Sequence, residues 1–157
     1  DQLESCCVSG QRLPRCELVP SATSGKLVAA DLAVRCPVSG DFILETEQIS
    51  CPTCRQSLSP NSVGDGQCRA CHNLSSVRID DPRLEPALAR YPQLANWKKF
   101  RLSQSDVVTI VIATGLLQQR LIVLDKITGQ LCHAAQRSRL SSTWVKIDEE
   151  ELVNSLK

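Results

Sequence analysis

The chain has 157 residues, enough for one ordinary domain or two small ones, and its 42 % hydrophobic content includes only 3 % aromatics, so any core must be built from Val, Leu, Ile and Ala. No apolar run reaches the ~18 residues of a membrane span: residues 106–124 come nearest, but Gln118, Gln119 and Arg120 interrupt them. The net charge of +1 hides an uneven spread, with ten Lys/Arg against three acids over residues 83–146 and six basic against eight acidic residues over 1–76.

Residues 1–50 are periodic. Ser9-Gly10, Ser24-Gly25 and Ser39-Gly40 recur every fifteen residues, and Cys6, Ser21, Cys36 and Cys51 share the period. Leu13, Val28 and Ile43 follow it too, as do Val19, Val34 and Ile49. A unit this short cannot bury its own apolar face, so stacked units are expected. Each reads as a β-hairpin, with glycine where the turn needs positive φ. Residues 1–6 resemble the end of a unit, which implies further copies upstream in a longer parent protein. Those first residues are polar and acidic, unlike a signal peptide.

Residues 51–76 carry the strongest chemical signal. Cys51-Pro52-Thr53-Cys54 and Cys68-Arg69-Ala70-Cys71 form two Cys-x-x-Cys knuckles separated by a polar, turn-rich loop. Two such pairs supply four thiolates from opposite sides of one ion, and a closed set of soft donors suits a structural zinc ion. A second site drawing on Cys6, Cys7, Cys16 and Cys36 is the weaker expectation, against small buried thiols packing as hydrophobes. The nine cysteines are an odd number, which excludes a complete intrachain disulfide framework. Metal-bound or free thiols imply a reducing compartment, and the expected location is the cytoplasm. Cys68-Arg69-Ala70-Cys71-His72 also spells a haem-attachment motif, but the chain has no Met and His133 is the only other histidine. A thioredoxin-type role for Cys51 and Cys54 would need a strand before and a helix after, whereas a Ser/Pro/Gly-rich loop follows.

Residues 51–71 resemble zinc-ribbon domains, and the Cys-x-x-Ser-Gly array resembles degenerate zinc-ribbon-like repeats of large bacterial proteins, some associated with helicase-type motors. The resemblance covers the first half of the chain. It implies a metal-stabilised architecture and says little about activity.

Residues 77–157 read as an α+β domain: a helix, a four-stranded antiparallel sheet and a short C-terminal helix. Asp80-Asp81-Pro82 signals a helix start, Leu84, Leu88, Tyr91 and Leu94 follow at helical spacing, and Pro92 should end or kink the helix. Strands are expected over 107–113, 121–124, 131–137 and 143–147. The turn at residues 125–129 places Gly129 at positive φ. Asp148 should cap a helix containing Leu152, Val153 and Leu156. Cys132 lies in a strand pattern and is expected in the core.

The expected fold is therefore a small β-hairpin array with a zinc ribbon, followed by an α+β domain with an antiparallel meander. No catalytic residue can be assigned: no Gly-x-Ser-x-Gly elbow or phosphate loop is present. The function these features point to is a non-catalytic, zinc-stabilised docking or assembly module. Its partner would be another protein or the rest of the parent chain, with no membrane and no small-molecule substrate. The alternative is an accessory module binding DNA or RNA through the basic 83–146 region. Trp97, Lys98, Lys99, Arg101, Arg137 and Arg139 would be its contacts.

Overall fold

The computed structural model describes residues 2–157. The chain divides into two compact units, residues 1–69 and 70–157. The first is a series of two-stranded antiparallel sheets. Strands β1 (Leu3–Ser5) and β2 (Arg12–Pro14) pair, as do β3 (Leu18–Pro20) with β4 (Leu27–Ala29) and β5 (Val34–Arg35) with β6 (Phe42–Ile43). Two further pairs are β7 (Ile49–Ser50) with β8 (Ser57–Leu58), and β9 (Val63–Gly64) with β10 (Gln67–Cys68).

The fifteen-residue period is a backbone period as well. The N–H groups of Gly10, Gly25, Gly40 and Arg55 donate to the carbonyls of Cys6, Ser21, Cys36 and Cys51, at 2.9, 2.8, 2.8 and 3.0 Å. The N–H groups of Cys6, Ser21, Cys36 and Cys51 donate in turn to residues 11, 26, 41 and 56. Between hairpins, Cys7 donates to the Leu27 carbonyl and Ala22 to that of Phe42, each at 2.8 Å. The next two positions of that series are Pro37 and Pro52, which have no N–H to give. Cys6, Leu18, Val28, Ala29 and Leu44 form one buried cluster of this unit, with Leu13, Val19, Leu27 and Ala33 packed against it, and Ile43 and Leu58 are buried further along the array. Each hairpin thus contributes only a few apolar side chains, and neighbours bury them jointly.

A short helix, α1 (Arg69–His72), follows β10. The second unit is built on one antiparallel meander of six strands: β11 (Ser75–Val77), β12 (Lys99–Gln104), β13 (Val108–Thr114), β14 (Gln118–Asp125), β15 (Leu131–Ser138) and β16 (Val145–Lys146). Two of these go beyond the four expected. Strand β12 reads Lys-Phe-Arg-Leu-Ser-Gln, and its cations mask a period-two pattern in which Phe100 and Leu102 point to the core. Strand β11 has only three residues and one apolar side chain.

Asp81 caps the first helical turn by accepting the Arg83 N–H at 2.9 Å, and α2 (Glu85–Arg90) ends before Pro92. Asp148 Oδ1 accepts the Glu151 N–H at 2.8 Å and opens α3 (Glu149–Ser155). Leu84, Ala87, Tyr91, Leu94, Leu152 and Leu156 bury against Phe100, Leu102, Val111, Ile122 and Ala134 on one sheet face. On the opposite face Ile110, Ile112, Leu121, Val123 and Ala135 are also buried, so the central strands are covered on both sides, as the unbroken Val/Ile run suggests.

Cys132 corrects the sequence reading. It lies on β15 but is exposed, because the pairing passes from Val123 opposite His133 to Leu124 opposite Leu131. Cys132 is the extra residue of that bulge, and the alternation that would have turned it inward is broken there. Among the described residues no helix is long and apolar enough to cross a membrane.

Candidate metal centre

Cys51 and Cys54 stand in the turn between β7 and β8, Cys68 ends β10, and Cys71 lies in α1. The chain between the two pairs runs through β8, a turn containing Pro60 and the β9–β10 hairpin, and so returns the second pair to the first. All four sulfurs lie within 4.8 Å of one another, and the four residues are at most 3 % exposed. Cys54 Sγ and Cys68 Sγ are 3.7 Å apart. This is far beyond a disulfide bond of about 2.05 Å. It equals the edge of a thiolate tetrahedron around zinc, roughly 3.8 Å for Zn–S bonds of about 2.3 Å.

The surroundings suit charged sulfur. The Cys68 N–H donates to Cys51 Sγ at 3.3 Å, and the Gln56 side-chain amide donates to Cys54 Sγ at 3.2 Å. Such outer hydrogen bonds orient a ligand and offset the cost of its buried charge. The donor set fits a metal ion held by four cysteines. Four buried sulfurs from two chain segments make a donor set that could hold one metal ion.

The earlier copies show what the same turn does with fewer thiols. Cys6 Sγ accepts the N–H groups of Ser9 at 3.5 Å and Ala29 at 3.3 Å. Cys36 Sγ accepts the Ser59 N–H at 3.4 Å and lies 3.3 Å from Ser62 Oγ. Ser21 Oγ accepts the N–H groups of Thr23 and Ser24 at 3.2 and 3.3 Å, and donates to the Glu47 carboxylate. Hydrogen bonds thus engage, in the earlier copies, the position that a cysteine of the tetrad holds in the last copy.

Hydrogen bonds from the Ser9 side chain and backbone and from the Ala29 N–H bring the Cys6 thiol down to about 7, against a smaller opposing effect of burial. For Cys36, burial pushes the thiol up, but hydrogen bonds from Ser39, Ser62 and Ser59 together outweigh it and leave it at about 7. Cys7 and Cys16 are exposed. Among the described residues, the only group of three or more Cys, His, Asp or Glu side chains close enough to share an ion is Cys51, Cys54, Cys68 and Cys71. The structure therefore does not gather Cys6, Cys7, Cys16 and Cys36 into a second centre.

The six residues considered for nucleic acid fall into two places. Trp97, Lys98, Lys99 and Arg139 line one cleft of about 640 Å³ at an end of the meander. Arg101 and Arg137 belong to the sheet face opposite the helices. Arg101 donates to the Leu74 carbonyl at 3.1 Å, and Arg137 donates to Gln119 Oε1 at 2.7 Å while lying 4.2 Å from the Trp144 ring centre. Trp97 is half-buried, with the Arg120 guanidinium 5.6 Å from its ring centre. Arg120 itself was visible in the sequence only as an interruption of an apolar run, and sequence reasoning missed it as a cleft residue.

No family model matches the chain, and neither a curated protein nor a solved structure matches it. Fold and site together define a β-rich α+β chain with antiparallel sheets and a buried four-cysteine centre that could hold a metal ion.

Proposed function

We propose that this chain is a non-catalytic docking or assembly module whose fold is held by a structural zinc ion at Cys51, Cys54, Cys68 and Cys71. The observation that carries the reading is the closed cysteine tetrad, at most 3 % exposed, which can stabilise a fold but offers no position to a reactant. Such a site belongs with binding rather than turnover. The partner in this reading is another protein or the rest of a parent chain, and nine free cysteines support a reducing compartment, the cytoplasm.

A second reading, an accessory nucleic-acid-binding module, draws on Lys98, Lys99 and Arg139 standing around one cleft. Cross-linking in lysate of the source cells, followed by mass spectrometry, separates the two. Docking predicts one protein cross-linked in stoichiometric amounts and insensitive to nuclease. Recovery of nucleic acid with the chain, in a salt-sensitive complex, would replace docking by the second reading. Recovery of neither would remove both.

A further inference from the structure

The cleft at the end of the meander has a composition that selects its occupant. Lys98, Lys99, Arg120, Arg139 and Lys157 contribute five cationic side chains to its lining, which includes no Asp or Glu side chain. Four of them are exposed, but Arg120 is only 5 % exposed. Its guanidinium donates to Ser155 Oγ at 2.8 Å, the Gln119 carbonyl at 3.0 Å and Gln118 Oε1 at 2.8 Å, all neutral acceptors. No carboxylate forms an ion pair with it among the described residues. Burial pushes the guanidinium below its usual value. A buried cation satisfied only by neutral groups is costly, and a carboxylate entering the cleft would offset that cost.

The walls are aliphatic. Leu116 and Leu117, in the turn between β13 and β14, are 85 % and 72 % exposed, and Leu140 in the neighbouring loop is 98 % exposed. The two loops are tied together: the Arg139 N–H donates to the Leu117 carbonyl at 3.0 Å, and its side chain donates to that of Leu116 at 3.2 Å. Leu116 and Leu117 line the cleft together with its cations, and Leu140 extends the exposed aliphatic surface beside it, a patch suited to being covered.

We propose that this cleft binds an extended acidic peptide segment of a protein partner, with carboxylates reaching Arg120 and the exposed cations and aliphatic side chains covering Leu116, Leu117 and Leu140. The proposal rests on the docking reading and names the partner's chemistry. Two features favour a peptide over other anions. Base stacking needs a bare aromatic face, and Trp97 has the Arg120 guanidinium over its ring. Its rim is packed so closely that a Cβ on Gly115 would lie 3.2 Å from Cζ3. A lipid surface presents its phosphates in a plane, whereas Arg120 is set below the surface, where a single side chain can enter.

The test uses the 157-residue chain and a fluorescent peptide of alternating Leu and Glu, read by anisotropy. Matched arms are a Leu/Lys peptide, a Ser/Glu peptide, single-stranded oligothymidylate and phosphatidylserine vesicles. Saturable binding of the Leu/Glu peptide is expected, with each other arm at least about tenfold weaker. The double variants Lys98→Glu with Lys99→Glu, and Leu116→Ser with Leu117→Ser, should each weaken it at least about tenfold. Both change exposed side chains and should leave the melting temperature unaltered. Arg120→Gln should also lose affinity, but the surface variants decide if it fails to fold. Absent peptide binding, unchanged affinity in the surface variants, or a preference for the Leu/Lys peptide, the oligonucleotide or vesicles would each overturn the proposal. If the cleft fails while a partner still cross-links, only this inference falls. If no partner cross-links, the docking reading falls with it.

Discussion

Arg55 holds the left-handed backbone conformation that Gly40 holds fifteen residues earlier, at φ 63° against 78°. Both N–H groups close the same turn, onto the Cys51 and Cys36 carbonyls. The fourth copy thus keeps the geometry of the array after losing its glycine. A side chain with a Cβ is disfavoured there by about 1–2 kcal/mol, partly offset by glycine's greater freedom in the unfolded chain. Arg55→Gly should therefore stabilise the protein, by up to about 1 kcal/mol, in urea unfolding. The exposed guanidinium has no other role in this account, so destabilisation would count against the turn assignment.

Ser21 and Glu47 show how a copy without cysteine closes. Ser21 is 3 % exposed and bonds two backbone N–H groups and the Glu47 carboxylate. Ser21→Ala removes the acceptor of both N–H groups and one of the donors to the acid, and a cost of about 1–3 kcal/mol is expected from chemical denaturation. Burial raises the Glu47 carboxyl, but hydrogen bonds from Ser21, Ser24 and the Leu44 N–H, with the Lys26 charge, outweigh it and hold it below the usual carboxylate value. A lowered folded-state value gives stability that is present at neutral pH and lost as pH falls through it. The difference between wild type and Ser21→Ala should accordingly shrink in acid, as thermal melts across a pH series would show.

Cys36 supplies a test at the other end of the scale. Its thiol titrates at about 7 in the folded state against a reference of 9.0. The folded state then favours the thiolate, so the contribution is absent below about 7, grows through the window between the two values and is complete above 9.0. Melting temperatures of wild type relative to Cys36→Ser should diverge in favour of wild type between these limits. A difference independent of pH would mean that Cys36 packs as a neutral thiol.

Leu102 tests the strand that the sequence did not reveal. It is 1 % exposed and faces the core from β12. Leu102→Ala should cost about 2–5 kcal/mol, while Arg101→Ala, one residue away on the other face, should cost under about 1.5 kcal/mol for its bond to the Leu74 carbonyl.

What could be read from the sequence followed from spacing. The fifteen-residue period predicted the hairpins because each copy repeats both its turn residues and its apolar positions. The two knuckles predicted the tetrad because Cys-x-x-Cys fixes the approach of both sulfurs locally. The β13–β15 meander was legible from its Val/Ile runs and the Asp125 to Gly129 turn, where Gly129 indeed lies at φ 71°. Strand β12 was not, because Lys99 and Arg101 alternate with Phe100 and Leu102 and the cations were read as a patch. Cys132 was misplaced because a bulge is a property of two strands, and neither alone announces it. Arg120 was hidden for a similar reason: its meaning lies in the neutral partners and the cleft around it.

The most direct test of the central claim is native mass spectrometry of the chain purified under reducing conditions without added metal. One zinc ion per chain is predicted, lost together with the folded structure in Cys51→Ser and Cys68→Ser variants. Binding at such sites is on the order of 10 kcal/mol, so a strong chelator should lower the melting temperature sharply. A folded, metal-free chain whose melting temperature is the same with and without chelator would contradict the account.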